Sequence, residues 1–201
     1  MVILTSNGLS SQQLIDETKK YIKNDMKTAA MITTASEYKE KDHNVPRLTS
    51  ELEALGLLVE YFDIDNKPAA LLINYDVILI LGGNPFYLLK RFREENCKQI
   101  FEEIKDHKLI IGISAGTFVL QDSINLVAQY SPEMNQGINL TDLKGLGLVN
   151  IEVLPHYSRY LSRFERFEER AQEYELAYRC KIVRLNDGQG IFVFDDNVYV
   201  V

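Results

Sequence analysis

Short apolar runs alternate with helix-patterned segments along the whole chain, and that alternation limits the folds open to it more than any other feature. The runs at 2–4, 29–33, 57–63, 77–81, 109–113 and 150–154 read as strands, as do 181–185, 191–194 and 198–201. Segments 11–23, 46–55, 86–96, 98–106, 117–126 and 159–178 carry helical spacing. Ser10 or Ser11 can cap the first of these, and Pro46 suits a first-turn position. Such alternation predicts an α/β fold with a largely parallel sheet covered by helices on both faces. The closing stretch, with turns at Asn186-Asp187-Gly188 and Asp195-Asp196-Asn197, reads as a small antiparallel meander attached to that sheet. With 201 residues and no repeat or linker-like stretch, residues 1–201 are expected to form one domain.

Charge narrows the partners. A net charge of −7 with no basic tract argues against a nucleic-acid or membrane-surface binder. The opening Met1-Val2-Ile3-Leu4 is too brief, and lacks the basic lead, for a signal peptide. No run approaches the roughly 18 apolar residues of a membrane span. Cys97 and Cys180 lie far apart without metal-ligand spacing and read as reduced thiols of a cytoplasmic protein. The sequon Asn139-Leu140-Thr141 then carries no weight, and neither a metal nor an organic cofactor is expected.

Gly112-Ile113-Ser114-Ala115-Gly116 follows the apolar Leu109-Ile110-Ile111 and runs into Phe118-Val119-Leu120. The G-x-S-x-G spacing has a mechanical reason: two glycines let strand and helix backbones pass closely, which thrusts the serine hydroxyl out on a strained turn. The helix start would also supply free N–H groups where an oxyanion forms. A turn that merely joins strand to helix could carry the same letters, so a base must be found. Open parallel sheets bind ligands beyond the carboxyl ends of their strands. Ser114, the Gly82-Gly83-Asn84-Pro85 turn and His156 all follow strands at that edge. His156 is therefore the favoured base. His43 lies in a charged loop that could overhang the site, and His107 precedes its strand at the opposite edge. Asp187 is the favoured orienting carboxylate, although Asn-Asp-Gly also forms turns for backbone reasons alone. Asp122, eight residues past Ser114, is its local rival. Amides of Gly83 and Ala115 could serve as oxyanion donors.

Leu81-Gly82-Gly83-Asn84-Pro85-Phe86, Gly112-Ile113-Ser114-Ala115-Gly116 and Leu154-Pro155-His156-Tyr157, taken together, resemble peptidase family S51, which includes aspartyl dipeptidases and cyanophycinases. The resemblance runs over most of the chain. It implies a flavodoxin-like, class I glutamine amidotransferase-like fold and a serine peptidase of short peptides, such as dipeptides with N-terminal aspartate. It further implies Ser114 as nucleophile, His156 as base, and the Gly83 and Ala115 amides as oxyanion donors, with Asn84 a substrate-binding candidate. The family's aspartyl dipeptidases carry glutamate where this chain has Asp187, and Gln129-Tyr130-Ser131 offers no carboxylate where another acid has been considered. A β-aspartyl hydrolase and a non-catalytic binding protein remain alternatives, and the chain could be a monomer or a homodimer.

Arg159, Arg163, Arg166 and Arg170 recur at helical spacing beside an apolar stripe of Tyr160, Phe164, Phe167, Ala171, Tyr174 and Tyr178. Neighbouring glutamates could neutralise them on a solvated face. Alternatively one arginine, with Arg166 and Arg170 foremost, could pair with an acidic substrate, as the resemblance implies. Segment 129–143 reads equally as a specificity loop or a connector.

Overall fold

The computed structural model describes residues 1–194 and 197–201. The chain runs β1 (Val2–Thr5), α1 (Gln12–Lys19), β2 (Thr28–Ile32), α2 (Val45–Glu53), β3 (Leu58–Phe62), β4 (Val77–Ile80), α3 (Pro85–Glu94), α4 (Cys97–Ile104) and β5 (Leu109–Ile113). It continues through α5 (Ala115–Leu120), α6 (Asn125–Tyr130), β6 (Glu152–Leu154), α7 (Tyr157–Leu161), α8 (Phe167–Tyr178), β7 (Ile182–Arg184), β8 (Gly190–Phe194) and β9 (Asn197–Val200). Asp195 and Asp196 of the expected last turn lie outside the described residues.

Seven strands form one sheet in the order β3-β2-β4-β5-β1-β8-β9. The first five are parallel, while β8 and β9 close it as an antiparallel hairpin against β1. This is the α/β, flavodoxin-like arrangement the sequence predicts. Alternation along each strand divides the apolar side chains between two cores. Ile78, Ile80 and Ile110 face the core covered by α3, α4, α5, α6 and α8. Val77, Leu79, Leu109 and Ile111 face the core beneath α1 and α2. Strand order reverses between β2 and β4, which leaves a crevice at their carboxyl ends.

β6 and β7 depart from the expected single sheet. They pair with each other, in parallel, as a separate two-stranded sheet. A side chain ties that sheet to the elbow helix. Fully buried Gln121, just past α5, accepts a hydrogen bond from the Val153 N–H at 2.7 Å through Oε1. Its Nε2 donates to the Thr117 carbonyl at 3.1 Å. Gln121 thus satisfies backbone that would otherwise be buried unpaired, and it fixes the strand that leads, through Pro155, to His156.

The expected helix at 159–178 is two, α7 and α8. Arg166, with φ 51°, breaks the path between them. The expected helix at 117–126 likewise ends at Leu120, and α6 begins at Asn125.

Candidate functional site

Both glycines of the elbow are sterically required. A Cβ on Gly116 would lie 2.4 Å from the Ile80 carbonyl oxygen on β4. One on Gly112 would lie 2.9 Å from the backbone of Gly116 and Thr117. With strand and helix pressed together, Ser114 takes φ 49° and ψ −101°, a strained conformation for a non-glycine residue. Its N–H donates to the Thr5 carbonyl at 3.1 Å, which extends the β5–β1 ladder and holds the turn rigid.

A cavity of about 420 Å³ opens at the carboxyl ends of β1, β4 and β5, and Ser114, His156, Asp187, Gly83, Ser6 and Arg159 all line it. His156 is buried, with φ 58°, at the start of α7. Its Nδ1 lies 2.6 Å from Asp187 Oδ1. An ionised carboxylate can only accept, so the proton belongs on Nδ1 and leaves the Nε2 lone pair available. Burial pulls the imidazole pKa below its usual value, only partly opposed by Asp187. For Asp187, burial works towards a higher pKa but is outweighed by hydrogen bonds from Ser6 and His156, so its carboxyl sits below the usual range. A neutral imidazole beside a carboxylate is the protonation state a general base requires.

Ser6 is a residue that sequence reasoning missed. Its fully buried hydroxyl donates to Asp187 Oδ1 at 2.5 Å and accepts the His156 N–H at 2.8 Å. It sits just past β1, at the same carboxyl edge that singled out Ser114, so the edge rule applied to β1 would have flagged it. The Asn186-Asp187-Gly188 turn serves both as a turn and as the carriage for the acid. Asn186 Oδ1 accepts the Ser158 N–H on α7 at 3.1 Å, and the Gly188 N–H donates to Asn7 Oδ1 at 2.9 Å.

Gly83 has φ 140°, and a Cβ there would lie 2.2 Å from the Ala35 carbonyl oxygen. Its N–H makes no hydrogen bond among the described residues. Ala115, first residue of α5, has no intrahelical acceptor for its own N–H. Of the rival bases, His43 lies on the cavity rim, exposed, with Nδ1 3.6 Å from Asp42 Oδ1. His107 follows α4 at the opposite end of the sheet, and Asp122 does not line the cavity.

The three residues expected to bind substrate lie outside the cavity of Ser114. Asn84 caps α3, its Oδ1 accepting from the Phe86 and Tyr87 N–H groups and its Nδ2 donating to the Met134 carbonyl. Its side-chain amide is taken up by the fold, and it lines an adjoining cavity rather than that of Ser114. Arg166 pairs with Glu169 and Glu173 on an exposed face, as the neutralised alternative anticipates. Arg170 lies over the Tyr130 ring at 4.9 Å. The arginines that line the cavity are Arg47 and Arg159. Arg47 is committed to Glu51 and to the Asn7 carbonyl. The Arg159 side chain is 58% exposed, donates no hydrogen bond among the described residues, and makes a long ion pair with Asp187 Oδ2 at 3.9 Å.

Among the described residues, no group of three or more His, Cys, Asp or Glu side chains could hold a metal ion. No helix there is long and apolar enough to cross a membrane.

The pH dependence of this pair has a definite sign. Activity that needs neutral His156 rises through its depressed pKa, so the acid limb of kcat/KM is expected below pH 6.5. Asp187→Asn removes the charge that favours imidazolium. The limb should then move lower still, with kcat reduced by about 10³- to 10⁴-fold. A pH–rate profile of both proteins checks this, and an upward shift would contradict the pairing.

The family model described as Peptidase family S51 matches residues 2–201. An uncharacterized peptidase of Listeria monocytogenes is 34% identical over 174 residues, 83% of this chain and 82% of its own. Peptidase E of Escherichia coli is 26% identical over 172 residues, 83% of this chain and 73% of its own. The crystal structure of a candidate peptidase E protein from Listeria monocytogenes superposes with a TM-score of 0.77 at 29% identity, covering 100% of this chain and 96% of that one.

Proposed function

The chain belongs to peptidase family S51, and we propose that it is a serine peptidase in which Ser114, His156 and Asp187 hydrolyse short peptides with an acidic N-terminal residue. The observation that carries this reading is the strained Ser114 sharing one cavity with a buried, Asp187-bonded His156. Ser114 Oγ attacks the scissile carbonyl carbon as its proton passes to His156 Nε2. The Gly83 and Ala115 N–H groups receive the developing oxyanion. His156 then protonates the leaving amine as the C–N bond breaks, and water, activated by the same imidazole, releases the acyl group. Ser6 holds the acid and the base in register from beneath.

Substrate choice rests on Arg159 rather than on Arg166 or Arg170. A guanidinium that faces the cavity without a hydrogen-bonded carboxylate can take a substrate carboxylate in bidentate fashion. The experiment is a dipeptide panel, including α- and β-aspartyl and neutral members, offered to wild type and to Arg159→Gln. Wild type should cleave α-aspartyl members best. Arg159→Gln should raise their KM by about 10- to 100-fold, as expected for a lost charge-assisted pair. Equal losses on neutral members would remove Arg159 from recognition, and cleavage of β-aspartyl members alone would replace the proposed linkage.

A further inference from the structure

We infer that the site has a second, apolar subsite, which makes the preferred substrate an acidic residue followed by a large apolar one. The inference rests on the peptidase reading above and adds the residue on the leaving side of the scissile bond.

A second cavity, of about 690 Å³, adjoins the first, and Gly83 and Asp42 line both. The shared wall at Gly83 is backbone against backbone, since not even a Cβ fits between it and Ala35. Two residues of extended peptide reach about 7 Å, so a dipeptide held at Ser114 can set its side chains in two cavities that meet at Gly83. The second cavity lies where the strand order reverses between β2 and β4, lined by the segments that follow those two strands.

The two cavities differ in the chemistry they leave free. In the second, the polar groups are largely spent on the protein itself. Lys39 Nζ is held by Asp63, Asp65 and the Thr34 carbonyl. The Tyr87 hydroxyl donates to Asp65 Oδ2 at 2.9 Å. Asp42 accepts from the Ser36 hydroxyl at 2.6 Å and from the Asn44 N–H at 2.8 Å. Asn84 is bonded at both ends of its amide. What remains is apolar surface on Ala35, Tyr87, Met134 and Ile138, with the ring of Tyr38, which is 67% exposed, and the exposed side chains of Glu37 and Gln136 also lining the cavity. An apolar group that packs on the Tyr87, Met134 and Ile138 side and leaves Glu37 in water is the occupant that costs this cavity least in desolvated charge.

The wall is also preformed. Asn84 Nδ2 donates to the Met134 carbonyl at 2.7 Å, which fixes the 132–135 turn against the start of α3. Segment 129–143 therefore supplies part of the binding surface through Met134 and Ile138, which resolves the ambiguity in its sequence towards specificity.

The test measures kcat/KM for aspartyl-glycine, aspartyl-leucine and aspartyl-phenylalanine, beside a series varied at the first residue. It uses wild type, Tyr38→Ala and Ile138→Ala, and Tyr38→Ala keeps it sound should the Ile138 variant fold poorly. Wild type should prefer phenylalanine to glycine at the second position by about tenfold or more, the scale for burying an aromatic side chain. Both variants should shrink that ratio. Cleavage with no second-position preference would overturn the subsite and leave the peptidase reading intact. A preference for apolar side chains at the first position instead would overturn the leaving-side assignment. If wild type cleaves no member, the peptidase reading fails and binding to Ser114→Ala decides the subsite. Equal affinity for the phenylalanine and glycine peptides there would overturn it.

Discussion

Ser114→Ala is expected to lower kcat/KM for any cleaved peptide by on the order of 10⁴-fold or more, the scale seen when a serine nucleophile is removed. Its thermal midpoint should stay within about 3 °C of wild type, the shift that about 1 kcal/mol gives a chain of this size. The separation of the two effects follows from the site. The Ser114 hydroxyl donates no hydrogen bond among the described residues, whereas its backbone N–H, which alanine retains, bonds to Thr5. Alanine also inherits the positive φ without relief or added strain. Steady-state hydrolysis and a melting curve on the same preparation check both halves. Near-native turnover in the folded variant would remove Ser114 from the mechanism and with it the proposed function.

Gly116→Ala should have the opposite signature, a loss of fold before a loss of chemistry. The added methyl would sit 2.4 Å from the Ile80 carbonyl oxygen and 2.9 Å from its Cβ. Neither is a flexible side-chain tip, so α5 must move away from β4. Overpacking of this kind costs about 2–4 kcal/mol, which lowers the melting temperature of such a chain by roughly 5–15 °C. Gly56→Ala gives a benchmark for a methyl that meets no neighbour. Gly56 has φ 84°, a strain Gly116 does not carry, and a Cβ there meets nothing within 4 Å, so its cost of about 1 kcal/mol is conformational strain alone and sets a floor that a steric clash must exceed. If Gly116→Ala melts no lower than Gly56→Ala, the close approach of strand and helix is not what the second glycine of the motif serves.

The elements most legible in the sequence were those whose burial is complete. β4 and β5 are buried throughout, so their sequences carry uninterrupted apolar runs. The helix expected at 159–178 shows how periodicity misleads. Tyr160, Phe164 and Phe167 keep helical spacing across the break at Arg166 because all three pack into one aromatic cluster, with ring centroids 5.1 to 5.8 Å apart. The shared core imposes the spacing, whichever helix each residue sits on. β6 read correctly as a strand but not as one outside the main sheet, because its partner beside α5 is the Gln121 side chain rather than another backbone. No strand pattern records that.

What the sequence determined alone is what neighbouring residues can enforce: the strand–turn–helix at Ser114, the glycines that make it possible, and the two faces of the sheet. The tertiary structure decided which distant groups meet there. Ser6, His156 and Asp187 form one hydrogen-bonded cluster across separations of 150 and 181 residues. Arg159 reaches the cavity while Arg166, on the same apparent stripe, turns to its own glutamates. Local periodicity fixes which side of an element a residue occupies. Only the tie of β6 to Gln121 beyond α5, and the Asn186-Asp187-Gly188 turn that bonds both Ser158 of α7 and Asn7 beyond β1, fix what that side faces.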